Sequence, residues 1–98
     1  MVFAIELSKP AREHLRHLRT RDQRIVIDAI AVQLTYDPDQ PTQHRKQLED
    51  NSLAPWELRV GDFRIFYDVR RQVRNVVVLA IGEKQHNRLF VGGEEIEL

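Results

Sequence analysis

An α+β domain is predicted, with an N-terminal strand and a two-helix hairpin packed on a mostly antiparallel sheet in the order β-α-α-β-β-β. Three observations predict it. Val2 to Leu7 alternates, placing Phe3, Ile5 and Leu7 on one face. Between residues 8 and 36 apolar side chains recur at spacings of three and four, the signature of helices with one buried stripe. Beyond residue 55 the period falls to two across three segments, ending in the run Val76-Val77-Val78-Leu79-Ala80-Ile81. A two-helix layer followed by a strand meander closes most simply as helices on one face of a sheet.

Each element has a local cause. Ser8 is a suitable N-cap and Pro10 lies in the first turn, where its missing N–H costs little, so a helix is expected to about Arg19, burying Ala11, Leu15 and Leu18. Thr20 or Asp22 caps a second helix to about Tyr36, with Ile25, Val26, Ala29, Ile30 and Leu34 as its apolar stripe; Asp37-Pro38 ends it. From Pro38 to Pro55 the chain is polar, with Leu48 and Leu53 as expected anchors on the core. Strands are predicted at Trp56–Val60, Phe63–Val69 and Val73–Ile81, the last apolar on both faces and so central, with Gly82 releasing the chain. The end, Arg88 to Leu98, can form a short strand, a glycine turn and an alternating acidic tail.

The 98 residues predict one domain spanning 1–98. A hydrophobic fraction of 42% with 31% charged residues fits a globular protein, and no run reaches the roughly 18 apolar residues of a membrane span. Cysteine is absent, which excludes disulfides and thiolate metal sites and predicts a reducing, cytoplasmic setting. Glu6 and Lys9 interrupt the apolar start, so no signal peptide is expected. The formal net charge is zero, which argues against coating nucleic acid by bulk electrostatics. Glu94, Glu95 and Glu97 crowd the end, and setting them aside leaves 15 Lys and Arg against 12 Asp and Glu, enough for a local basic patch.

The stretch Trp56 to Asp68 carries the most chemistry. With Gly61-Asp62 as a two-residue hairpin turn, Val60 faces Phe63, Arg59 faces Arg64 and Leu58 faces Ile65. Two guanidinium groups then oppose each other, a mildly destabilising arrangement that an anion between them would relieve. Arginine's planar fork suits phosphate, so a nucleic-acid backbone is the first candidate ligand. Glu57 and Asp68 share that face, and a solvated network neutralising all four charges is the alternative. Trp56 and Tyr67 fall on the opposite face and are expected in the core. His14 and His17, with no third metal ligand nearby, are expected to be solvated on a basic helix exterior shared with Arg12, Arg16 and Arg19.

The stretch Trp56-Glu57-Leu58-Arg59-Val60-Gly61-Asp62-Phe63-Arg64-Ile65-Phe66-Tyr67-Asp68, the valine-rich strand, Ile81-Gly82-Glu83-Lys84 and Lys46-Gln47-Leu48 resemble the RelE/ParE superfamily of bacterial toxins from type II toxin–antitoxin modules, from Val2 to about Phe90. The resemblance implies a toxin neutralised by a cognate antitoxin. In the RelE branch it implies an endonuclease that cuts messenger RNA on the ribosome, without metal or cofactor, through attack of the 2′-hydroxyl on the adjacent phosphate. In the ParE branch it implies a DNA gyrase inhibitor. A third possibility is a toxin-fold interaction protein without either activity, since fold does not fix function.

Carried over by position, Arg64 matches the arginine that stabilises the transition state, Arg59 a basic position on the preceding strand, and Lys84 a basic residue after the last strand's glycine. Lys46 and Phe90 join these three as implied RNA contacts. Two departures matter. Glu57 stands where some active nucleases carry lysine, and Phe90 stands near a position often occupied by tyrosine. Phenylalanine can stack on a base but cannot transfer a proton. Glu57 and His86 are therefore the implied acid/base candidates.

Overall fold

The structure, a computed structural model, describes residues 1–98. Its order is β1 (Ala4–Leu7), α1 (Lys9–Arg16), α2 (Thr20–Leu34), β2 (Arg45–Gln47), β3 (Trp56–Val60), β4 (Phe63–Arg70), a 3₁₀ turn at Arg71–Val73, β5 (Asn75–Gln85), β6 (Arg88–Val91) and β7 (Glu94–Ile96). The sheet runs β2-β3-β4-β5-β6-β7, every neighbour antiparallel, and β1 lies parallel to the first part of β5, Ala4 opposite Asn75 through Leu7 opposite Val78. The predicted α+β class holds, with three short strands added to the predicted order. No helix is long and apolar enough to cross a membrane.

Ser8 caps α1 as expected: its Oγ accepts from the Ala11 N–H at 3.2 Å and donates to the Leu79 carbonyl at 3.2 Å, so one hydroxyl both starts the helix and pins it to β5. The helix stops at Arg16 rather than Arg19. His17 and Leu18 bond to the carbonyls of His14 and Leu15, a 3₁₀ tightening, and Gln23 Nε2 takes the Leu18 carbonyl at 2.9 Å, turning the chain into α2. The N-cap of α2 is Arg19, without a side-chain bond, in place of Thr20 or Asp22.

The helices cover one face of the sheet. Val26, Ile30 and Leu34 of α2 pack with Phe3, Ala11, Leu58, Ile65 and Tyr67, and Trp56 stacks on Tyr67 with ring centroids 6.1 Å apart. Complete burial of side chains this large is worth roughly 1.5–3 kcal/mol each. Ile25 departs from the predicted stripe and is 41% exposed, because α2 is apolar around more than one face and only the Val26–Ile30–Leu34 side meets the sheet. The Tyr67 hydroxyl donates to the Pro38 carbonyl at 2.7 Å, tying the polar connection to the core. A smaller cluster, Ala54, Phe66, Ala80, Leu89 and Val91, covers the opposite face, with Leu48 and Leu53 packed against it as the expected anchors.

Strand β5 departs most from expectation. It starts at Asn75 because Arg71–Val73 form the 3₁₀ turn, which ends at Arg74 in a left-handed conformation, φ 52°. It continues through Gly82 to Gln85 rather than ending there. A Cβ at Gly82 would stand 2.7 Å from the Phe90 carbonyl oxygen and 2.8 Å from Val91 Cγ2, so this glycine marks the close approach of β6, not a strand end. The pairing also slips: Phe66 faces Ala80 but Tyr67 faces Val78, leaving Leu79 as an extra residue on β5. Before this bulge the even-numbered Val76 and Val78 face the helices; after it, Ile81 and Glu83 do. The bulge is therefore what turns Lys84 away from the helices.

Candidate anion site

The β3–β4 hairpin has the predicted register, Val60 opposite Phe63, Arg59 opposite Arg64 and Leu58 opposite Ile65, and Gly61 supplies the left-handed turn residue at φ 58°. Arg59 and Arg64 project from the face away from the helices. Gly82 lies beside Arg64 in the next strand, and Lys84, two residues on, shares that face. On the other side β2 places Lys46 directly opposite Glu57.

Lys46, Glu57, Arg59 and Lys84 meet in a cavity of about 450 Å³, whose charged lining they form with Glu49 and Asp50; Arg64, opposite Arg59, is not in that lining. The carboxylates differ in kind. Glu57 is only 6% exposed and lies among the cations, whereas Glu49 and Asp50 stand on the exposed loop wall. That wall is organised by Asn51, whose Oδ1 accepts from the Leu53 and Ala54 N–H groups at 2.7 and 3.0 Å.

The opposed arginines are relieved separately. Arg59 Nε donates to Glu57 Oε2 at 3.4 Å, with the arginine side chain half exposed. Arg64 folds back onto its own turn, Nη1 donating to the carbonyls of Gly61 at 2.8 Å and Phe63 at 2.9 Å, and its buried Nε has no acceptor. A buried guanidinium donor without a partner costs about 1–3 kcal/mol, which an oxyanion would recover once the side chain swings off its turn to meet it. The neutralising reading thus describes Arg59, while Arg64 keeps a buried donor without a partner.

Two further predicted residues lie outside the cavity. His86 and Asn87 form the two-residue tip of the β5–β6 hairpin, both with positive φ, and His86 is exposed and outside the cavity lining. Phe90 pairs with Glu83 and so faces the helix side, opposite the arginines; Leu89 and Val91 take the arginine face instead. Trp56 and Tyr67 are core residues as expected, and burial raises the Tyr67 hydroxyl pKa above its ordinary value. His14 is not solvated as expected. Its Nδ1 accepts from the Ile81 N–H at 3.2 Å, and burial, with the nearby His17, holds its pKa below the usual histidine value. Asp39 is lowered by its hydrogen bond from Arg71, whose guanidinium also lies 5.4 Å from the Phe3 ring centroid.

The sequence does not mark Glu49, Asp50 and Asn51 as site residues. Their only signal is the loop-forming composition of Glu49-Asp50-Asn51-Ser52, which marks a turn but not the cavity it bounds.

The fold agrees with what this chain is similar to. Among solved structures it is similar to the toxin–antitoxin complex RelBE2 from Mycobacterium tuberculosis, at 20% identity and a TM-score of 0.70, covering 85% of this chain and 99% of that one. It is likewise similar to the archaeal RelE–RelB complex from Pyrococcus horikoshii OT3, at 19% identity and a TM-score of 0.70, covering 88% and 99%. A comparison with curated proteins finds no match. The family model for the ParE toxin of type II toxin–antitoxin systems, parDE, matches residues 5–88. The chain therefore belongs to the ParE toxin family of type II toxin–antitoxin systems, within the RelE/ParE superfamily.

Proposed function

We propose that this toxin is a metal-independent endoribonuclease acting on messenger RNA at the ribosome, with its reaction centre in the cavity between β2, β3 and β5. The observation that carries this reading is the gathering of Lys46, Arg59 and Lys84 around the nearly buried Glu57, with Arg64 flanking them through an unpartnered Nε. Glu57 takes the proton of the RNA 2′-hydroxyl, whose oxygen attacks the adjacent phosphorus. Arg64, Arg59 and Lys46 balance the charge of the pentacovalent phosphorane. The P–O5′ bond breaks as the Lys84 ammonium protonates the leaving oxygen, giving a 2′,3′-cyclic phosphate and a 5′-hydroxyl. His86 at its exposed hairpin tip stands apart from this set.

The partner is a cognate antitoxin, as in the two similar complexes. Ile25 and Val32 of α2, 41% and 73% exposed, with Tyr36 just beyond the helix end at 58%, supply an apolar patch that suits a folding-on-binding segment.

A second reading, inhibition of DNA gyrase by binding, is favoured by the description of the matching family and by Phe90, which can move no proton and faces away from the arginines. Inducing the protein in a translating extract separates the two. Cleaved messenger RNA supports the nuclease; intact messenger RNA with inhibited gyrase supercoiling rejects it.

A further inference from the structure

A second cavity, of about 680 Å³, is on the other side of the sheet, between the last turn of α1 and the β5–β6 hairpin. It shares no lining residue with the cation cavity. Its size is that of a small-molecule site, and its lining contains no lysine or arginine.

Three features give it chemical character. The first is the pair of imidazoles, whose tautomers the backbone fixes in opposite senses. His14 Nδ1 accepts from the Ile81 N–H at 3.2 Å, so its proton is on Nε2; His17 Nδ1 donates to the Glu13 carbonyl at 2.8 Å, so its Nε2 carries a free lone pair. One ring therefore offers a donor and the other an acceptor. His14 cannot ligate a metal through Nε2 without releasing the Ile81 N–H. The second feature is the free polar groups of β5, because the Glu83 carboxylate and the Gln85 amide line the cavity without any side-chain hydrogen bond or ion pair. The third is Phe90, directly opposite Glu83 on β6, which supplies an aromatic face.

We propose that this cavity binds a guanine base. A planar heterocycle stacks on Phe90. Guanine N1–H and N2–H present two adjacent donors to the Glu83 carboxylate, while O6 or N7 accepts from His14 Nε2–H. Adenine lacks the adjacent donor pair, and cytosine and uracil offer less surface to the ring. Without a cation in the lining, the base and not the phosphate is recognised, so the ligand is either a free guanine nucleotide or an unstacked guanine of single-stranded RNA. The proposal goes beyond the nuclease reading and does not rest on it.

The test is an NMR titration of the whole chain with GMP, AMP and guanosine, following the His14 and His17 ring protons and the Phe90 ring. GMP and guanosine should shift these signals alike, with GMP binding about tenfold or more tighter than AMP, the discrimination of one bidentate pair. Glu83→Gln should erase that preference, and Phe90→Leu should weaken both purines while keeping the apolar bulk. A short oligonucleotide with one central guanine that binds more tightly than GMP identifies RNA as the source; equal or weaker binding identifies the free nucleotide. Absence of shifts at millimolar GMP, or equal affinity for AMP, overturns the proposal. Arg64→Ala should leave GMP binding intact. Binding without RNA cleavage would sink only the nuclease reading, and cleavage without GMP binding only this one.

Discussion

Replacing Glu57 by glutamine should strengthen RNA binding while removing cleavage. The Glu57 carboxylate is 6% exposed and shares its cavity with Lys46, Arg59 and Lys84, so a phosphate held by those cations feels its repulsion. Unit charges about 7 Å apart, at a dielectric between the water and protein limits, interact by about 1 kcal/mol, or about fivefold in Kd. Binding should therefore tighten by about that factor at low salt, and the gain should shrink as salt screens it. Cleavage should fall by about 100-fold or more, since an amide cannot accept the 2′-hydroxyl proton. Stability should change little. The 3.4 Å contact to Arg59 involves a side chain that is half exposed, which limits the pair to about 1 kcal/mol or less. The assays are salt-dependent RNA binding and product analysis on a gel, with thermal denaturation as the control. Tighter binding with unchanged cleavage would remove Glu57 as the base; weaker binding by a folded variant would refute the electrostatic argument itself.

Four further outcomes follow from the same geometry. Replacing both Arg59 and Arg64 by alanine should weaken RNA binding and lower the slope of log K against log salt by about two, one for each lost phosphate contact, measured by fluorescence anisotropy. Tyr67→Phe leaves the buried Pro38 carbonyl without its 2.7 Å donor and should cost about 1–3 kcal/mol in denaturant unfolding. Gly82→Ala places a methyl 2.7 Å from the Phe90 carbonyl oxygen and should separate β6 from β5, costing about 1–3 kcal/mol and raising amide exchange in Leu89–Val91. For His14, burial lowers the folded-state pKa, so the unfolded chain binds more protons between that value and the ordinary 6.5. Stability should fall as pH drops through that window and level off below the folded pKa. His14→Asn, which keeps an acceptor for the Ile81 N–H without titrating there, should flatten Tm against pH; an unchanged profile would assign the effect to another group.

The parts legible in sequence were those fixed by short-range rules. A two-residue turn at Gly61-Asp62 sets the register of both flanking strands, so the opposition of Arg59 and Arg64 and the inward Trp56 and Tyr67 could be read directly. Ser8 as a cap and Leu48 and Leu53 as anchors belong to the same class. What escaped depends on long-range pairing. The bulge at Leu79 lies where β5 passes from pairing with β1 to pairing with β6, and it decides which face receives Lys84. Gly82 carries one signal with two meanings, strand end or close approach, and only β6 distinguishes them. β2 has no apolar alternation because its three residues form an edge, so nothing marked Lys46 as a strand residue facing Glu57. Phe90 is turned away from the arginines by the His86-Asn87 turn, which fixes Gln85 opposite Arg88. Ile25 is not legible as exposed, because a helix apolar on two sides does not say which one meets the sheet.

The end chemistry of messenger RNA recovered from a translating extract tests the central claim most directly. In-line attack by the 2′-hydroxyl, with cations and a carboxylate as the only protein groups, leaves a 2′,3′-cyclic phosphate and a 5′-hydroxyl, and Arg64→Ala should abolish those ends, a loss of about 3 kcal/mol or more of transition-state stabilisation. Cuts bearing 3′-hydroxyl and 5′-phosphate ends, or cuts that persist in Arg64→Ala, would contradict the assignment of the reaction to this cavity.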